Sequence, residues 1–440
     1  MKPGNLQGNL QGAKSCRYKI WKIRGGLSIK PLLYLKGFLY FRQNWSGIIN
    51  FTYEQEGVKA LGEKFETEVL HSRKKQKREI KSKVTPIYQT SAFKFDNLEE
   101  LEGYYQGEGN YLYSRVGNPN TDELGEAVAA LEGAPAGVAS SSGLSAILAG
   151  VLSVARSGDH IVATDDLYGG SYHLLKEELH ELGIETTFTS FSDLKSVEEA
   201  IRENTVLLYT ESITNPLLRV EKLEAIVELA KKYDLFTLVD NTFATPYHCK
   251  PFILGIDLVV HSATKYIGGH SDITAGVLVG REELISKARA KIVNLGANLS
   301  PFEAWLTCRG LKTLAVRMKT QSENAKRLAE AMQNHQFVAK TYYPFSANPE
   351  NFGAMVTIEL DKHVDVSEFF RSLTWVKIVP TLAGVETTVS HPLKTSHRAL
   401  PPETCAELGI TNEVVRISVG IEHYEDIIVE FENAIKKALN

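Results

Sequence analysis

The first 53 residues of this 440-residue chain contain no Asp or Glu, although the whole carries 53 acidic residues against 49 Lys and Arg. Cysteine is scarce too. Cys16, Cys249, Cys308 and Cys405 lie far apart, with no C-x-x-C spacing. That argues against a disulfide framework or a cysteine zinc site and fits a reducing compartment, so the expected location is cytoplasmic. No apolar run reaches the length of a membrane span. A formal net charge of −4 gives no global drive toward nucleic acid or membrane. His261, His270, His391 and His397 lack metal-ligand spacing and read as core or loop histidines, so no metal is expected. Internal repeats are absent. What is present, 43% hydrophobic and 23% charged residues, suits a globular chain long enough for two domains.

The acid-free start has an apolar patch, Pro31 to Phe41, broken by Lys36 and followed by no small-residue cleavage site. That is wrong for a secretory signal. A mitochondrial transit peptide is an open alternative, being basic, but serine is sparse. The preferred reading of residues 1–61 is a basic extension, disordered or translated from a start codon placed too early. Gln55-Glu56-Gly57 can be encoded by a purine-rich ribosome-binding sequence, and Leu61 by a non-AUG start. No methionine lies between Met1 and Met318 to offer another start.

From Phe65 a short helical piece, Thr67 to His71, leads into a basic run, Arg73 to Lys83, read as a solvated face. Val84 to Phe93 is extended by its proline and β-branched residues. Thr121 to Glu132 is an amphipathic helix with Leu124, Val128 and Leu131 on one face. Strand and helix then alternate. Strands are expected at His160–Ala163, Glu185–Thr189, Val206–Tyr209 and Thr237–Asp240. Helices are expected at Ser171–Leu182, Val197–Arg202 and Leu223–Lys232. Such alternation implies an α/β fold, a mainly parallel sheet covered on both faces, with ligands at the strands' carboxyl ends. Beyond Asn298 the pattern shifts to a smaller α+β domain. Ser300 to Lys340 is largely long helix, Met355–Leu360 and Val414–Gly420 are strands, and Tyr424 to Leu439 is an amphipathic helix.

The candidate chemistry sits at the strand ends. Leu258-Val259-Val260-His261-Ser262-Ala263-Thr264-Lys265 runs from a buried strand into hydroxyl residues and one lysine, before Gly268-Gly269. A solvated loop lysine is one reading. The other is a partly desolvated amine that holds an aldehyde cofactor such as pyridoxal phosphate (PLP), with Ser262 and Thr264 donating to its phosphate. Phe236-Thr237-Leu238-Val239-Asp240 ends a second strand in a carboxylate, as the ring nitrogen of PLP requires; a helix cap is the alternative. Ser142-Gly143-Leu144 forms a small-residue turn into a helix, where backbone amides can meet an anion.

These stretches, in this order, resemble the Cys/Met-metabolism branch of PLP-dependent enzymes from about Phe65 onward. That branch includes cystathionine γ-synthase, cystathionine β- and γ-lyases, methionine γ-lyase and O-acylhomoserine sulfhydrylases. The resemblance implies the PLP-dependent fold type I (aspartate-aminotransferase-like). It implies an arm (62–119) serving the neighbouring subunit's site, a PLP-binding domain (120–299) and a C-terminal domain (300–440). PLP would be held by Lys265, Asp240, Ser142, Gly143, Leu144, Ser262, Thr264 and the ring of Tyr168. Tyr113 and Arg115, in Tyr113-Ser114-Arg115, would reach a neighbouring subunit's cofactor phosphate, giving a homotetramer built from dimers that share active sites. Asn215, Glu386, Thr387 and Arg416 would bind substrate, Arg416 through its carboxylate.

The activity implied is transsulfuration, cleavage of a C–S bond in cystathionine or a related sulfur amino acid. Lys265 would move the α-proton, and Tyr168 or Tyr113 would protonate the leaving sulfur. The synthase or sulfhydrylase direction, acting on an O-acylhomoserine, is the alternative. A non-catalytic PLP-fold regulator is another, disfavoured by Lys265, Asp240, Tyr168 and Arg416 occurring together. Gly169-Gly170 after Tyr168 matches cystathionine enzymes. Thr381-Leu382-Ala383-Gly384-Val385-Glu386-Thr387 departs from the usual Ser-Leu-Gly-Gly-x-Glu-Ser, and the Tyr343–Phe352 connection is short. N-terminal sequencing of the native protein tests the start: a first residue near Leu61 is expected, and a chain beginning at Met1 contradicts it.

Overall fold

The computed structural model describes residues 19–23, 26–30, 64–72, 82–109, 111–345, 353–398 and 400–439. The expected start near Leu61, the patch from Pro31 to Phe41, most of the Arg73–Lys83 run and most of the Tyr343–Phe352 connection lie outside these residues. The chain divides into residues 1–63 and 64–440. In the first unit β1 (Lys19–Ile23) and β2 (Gly26–Lys30) pair antiparallel.

The second unit carries two sheets. The larger consists of β3 (Ala136–Ser140), β4 (His160–Thr164), β5 (Glu185–Thr189), β6 (Thr205–Glu211), β7 (Phe236–Asp240), β8 (Leu258–His261) and β9 (Gly276–Gly280). Their order is β3-β9-β8-β7-β6-β4-β5. The pairs β8-β7, β7-β6, β6-β4 and β4-β5 are parallel, while β9 runs antiparallel to both its neighbours. Every residue of β4, β8 and β9 is buried. Covered on both faces, these strands read as continuous apolar runs rather than alternating ones. Ile161, Leu207, Leu238, Leu258 and Leu278 face one apolar layer, and Val162, Leu208, Val239, Val259 and Val277 the other. Each such side chain contributes about 1.5–3 kcal/mol when fully buried.

The smaller sheet has β10 (Val338–Tyr342), β11 (Met355–Leu360), β12 (Lys377–Ile378), β13 (Thr388–Ser390) and β14 (Val414–Ser418), ordered β10-β11-β14-β13-β12. Its core joins Val356, Ile358, Val415 and Ile417 to Phe369, Ile427 and Phe431. Ile427 and Phe431 belong to the last helix, Tyr424–Lys437, whose basic residues Lys436 and Lys437 sit in its final turn.

The expected alternation holds, with differences in detail. The stretch from Ser300 to Lys340 is two helices, Pro301–Leu311 and Leu314–Gln333, followed by β10. Helices at Leu98–Tyr105 and Glu282–Leu295 and the strand β9 lie outside the expected elements. β9 is bounded by glycines because backbone passes close to it there. A Cβ at Gly276 would lie 2.0 Å from the Ser142 carbonyl oxygen, and one at Gly280 would lie 2.3 Å from that of Asp257. Gly276 therefore lets the Ser142 turn settle against the sheet. Gly276→Ala is expected to cost about 1–3 kcal/mol by overpacking, read as a lower urea midpoint; an unchanged midpoint contradicts this packing.

Candidate active site

A cleft partly open to solvent is lined by residues at the carboxyl ends of β6, β7 and β8 and by Arg416 of β14. Parallel sheets bind ligands at this edge because the helix amino termini and connecting loops gather there. Ser142, Gly143, Leu144, Tyr168, Asn215, Asp240, Ser262, Thr264, Lys265 and Arg416 all line it.

Lys265 lies on a compact turn closed by Lys265 N–H donating to Ser262 O (3.0 Å) and Gly269 N–H to Lys265 O (2.7 Å). Its Nζ donates to Thr381 Oγ1 at 2.8 Å. Burial, and then the charge of Arg416, pull its pKa from 10.5 to about 8. Asp240 ends β7 and opens partly onto the cleft. Its Oδ1 accepts from the N–H (2.9 Å) and the hydroxyl of Thr242. The Thr242 hydroxyl also accepts from Ser262 N–H (2.8 Å), tying the ends of β7 and β8 together. Burial raises the Asp240 pKa, opposed by the Thr242 bonds and the charge of His261.

Arg416 is 2% exposed. It donates from Nη1 to Asn215 Oδ1 (2.8 Å) and from Nε to Ser390 Oγ (3.1 Å). Burial brings its pKa down to about 10, opposed by Tyr266, Tyr168 and Glu211. Asn215 is held in turn, since His397 Nε2 lies 3.1 Å from both Asn215 O and Leu167 O. His397, from the loop after Ser390, and Arg416, from the smaller sheet, thereby grip the loop that carries Asn215, and His397 also holds the one that carries Tyr168. At the helix Gly143–Val154, Ser142 and Ser145 form a reciprocal cap. A Cβ at Gly143 would lie 2.7 Å from Ser262 Cβ, so only glycine lets this helix end approach the strand end so closely.

These residues fit PLP. There is a depressed-pKa amine for the aldehyde, a close-packed helix amino terminus beside Ser262 for the phosphate, and a strand-end carboxylate for the ring nitrogen. Thr264 is less well disposed than expected. Its hydroxyl donates to Ala275 O (3.1 Å) and accepts from Ala275 N–H (3.0 Å), which occupies it in the backbone.

Glu386 and Thr387, expected to bind substrate, do not line this cleft, and neither do Tyr113 and Arg115, which are expected to serve a neighbouring subunit's site. Tyr113 and Arg115 are exposed, with the Arg115 guanidinium 5.8 Å from the Tyr113 ring centre and 3.3 Å from Val293 O. Glu386 is exposed and paired with Lys377 at 2.7 Å. Thr387 is buried, donating from N (2.6 Å) and Oγ1 (2.8 Å) to Glu422. Both are held by partners on the small domain rather than turned into the cleft. Thr381, Thr242 and Glu211 were not anticipated as site residues. Among the described residues no group of His, Cys, Asp and Glu is arranged to hold a metal, and no helix is long and apolar enough to cross a membrane.

A neutral amine is the form that attacks an aldehyde, and the fraction of Lys265 that is neutral grows as pH rises through about 8. The rate at which resolved apoprotein takes up PLP, followed by absorbance, is expected to climb between about pH 7 and pH 9. A profile still rising unchanged toward the pKa of an ordinary lysine contradicts the burial of this amine.

Comparison with known proteins agrees with this geometry. The Cys/Met metabolism PLP-dependent enzyme family matches residues 66–436. A cystathionine beta-lyase of Lactococcus lactis subsp. cremoris is 39% identical over 382 residues, 84% of this chain and 98% of the relative. A cystathionine gamma-lyase of Bacillus subtilis is 40% identical over 362 residues, 80% of this chain and 93% of the relative. The crystal structure of cystathionine gamma synthase from Xanthomonas oryzae pv. oryzae, in complex with aminoacrylate and cysteine, superposes with a TM-score of 0.80. It is 34% identical and covers 85% of this chain and 98% of that one. The architecture is that of the PLP-dependent fold type I enzymes, and the chain belongs to the Cys/Met-metabolism family of PLP-dependent enzymes.

Proposed function

We propose that this enzyme is a carbon–sulfur lyase that cleaves cystathionine or a related thioether amino acid with PLP on Lys265. The observation that carries the reading is the pairing, in one cleft, of a lysine with a depressed pKa and a buried arginine with polar partners only. Arg416 binds the substrate carboxylate through its fork, which donates to two oxygens at once. That contact orients the Cα–H bond. Lys265, whose ammonium form burial disfavours, takes the α-proton in its neutral form, and Thr381 steadies its amine. PLP, when bound, supplies the electron sink for the charge left at Cα. Asp240 holds its ring nitrogen, and Ser142, Gly143, Leu144 and Ser262 its phosphate. The leaving sulfur takes a proton from Tyr168, which lines the cleft, or from Tyr113 of a second copy.

The exposure of Tyr113 and Arg115 supports their use across an interface, in a homotetramer of dimers that share active sites. The spacing of the cysteines supports a cytoplasmic setting. The synthase direction, on an O-acylhomoserine, is the second reading, favoured by the fold shared with a cystathionine gamma synthase.

Cystathionine is expected to yield pyruvate if the Cβ–S bond breaks and 2-oxobutyrate if the Cγ–S bond breaks. Formation of neither, alongside cystathionine made from an O-acylhomoserine and cysteine, selects the synthase direction. No turnover of any of these substrates contradicts the proposal. Arg416→Met is expected to raise KM for cystathionine roughly 100-fold through loss of a charged pair. A KM unchanged in steady-state assays removes Arg416 from substrate binding.

A further inference from the structure

Two carboxylates, not one, stand at the ends of the central strands. β6 and β7 are parallel neighbours, and Glu211 is in register with Asp240, so both side chains leave the sheet on the same face. Both line the cleft, and Glu211 is 5% exposed. The environments differ. Asp240 has two donors from Thr242, an N–H and an O–H, which favour its charged form. Glu211 Oε1 accepts one neutral donor, the Tyr168 N–H, at 2.9 Å. Arg416 directs its hydrogen bonds to Asn215 and Ser390. Burial, and next the charge of Asp240, push the Glu211 carboxyl well above the usual carboxylate range. Adjoining buried carboxylates do not both ionise readily.

The Tyr168 N–H bond has a mechanical meaning. On its other flanks this loop is closely packed: a Cβ at Gly169 would lie 1.9 Å from Ser396 O, and Leu167 O lies 3.1 Å from His397 Nε2. Glu211 supplies the restraint from the large sheet, at the residue whose ring lines the cleft.

We propose that Glu211 is a positioning residue that works as an uncharged acid. It fixes the Tyr168 loop through the backbone N–H and leaves the pair's single negative charge on Asp240, where the ring nitrogen of PLP is held. This rests on the placement of PLP at Lys265 proposed above.

The test compares Glu211→Gln with Glu211→Leu. Glutamine copies a protonated glutamate in shape and keeps an acceptor for the Tyr168 N–H; leucine does not. Titration of PLP into resolved protein is expected to show affinity about tenfold weaker in E211L, the loss of one buried hydrogen bond, with E211Q restoring most of it. Equal losses in E211Q and E211L overturn the proposal, because a charge would then be what matters. The infrared spectrum of purified wild-type protein at neutral pH is expected to contain a protonated-carboxyl band that E211Q lacks. Absence of that difference also overturns it. Should wild type itself take up no PLP, the functional reading fails, while the infrared comparison still decides the state of Glu211.

Discussion

Lys265 and Arg416 share one cleft, both drawn out of water, and each makes charge on the other less favourable. The guanidinium is the stronger base by far, so the amine yields its proton first. Much of the surrounding structure serves this arrangement. Thr381 takes the amine's hydrogen bond, and Asn215 and Ser390 take those of the guanidinium. None of these partners is a carboxylate. A carboxylate beside Lys265 would raise its proton affinity, and one fixed on Arg416 would compete with an incoming substrate.

The sheet makes the arrangement repeatable. In-register parallel pairing sets Glu211 beside Asp240, and Thr242 joins Asp240 to the strand end that leads to Lys265. The small domain closes the other side. Arg416 comes from the middle of its sheet, and Thr357, on the neighbouring strand, donates to Pro216 O at 2.7 Å. Residues 141 to 201 positions apart in sequence thus meet at the turn that bears Asn215. A substrate bound by Arg416 would be sensed directly by that turn, since the guanidinium already holds the Asn215 side chain.

Part of this was legible in the sequence because strand ends announce themselves locally. A buried apolar run ending in Asp240, another ending in Ser262-Ala263-Thr264-Lys265, and a small-residue turn at Ser142 each keep their signal within a few residues. The cleft brings those three together. Thr381, Thr242 and Glu211 carried no such signal. Their roles are hydrogen bonds to Lys265, Asp240 and the Tyr168 backbone, and only the tertiary fold creates them. β9 offers no period to read, being only three apolar residues between two glycines. Glu386 and Thr387 were placed near the substrate by resemblance alone, and here Lys377 and Glu422 hold them.

Reduction of the PLP-loaded protein with borohydride, followed by peptide mass spectrometry, identifies the lysine that holds the cofactor. One pyridoxyl-phosphate adduct is expected, on the peptide containing Lys265. An adduct spread over other lysines, or confined to one of them, would contradict it.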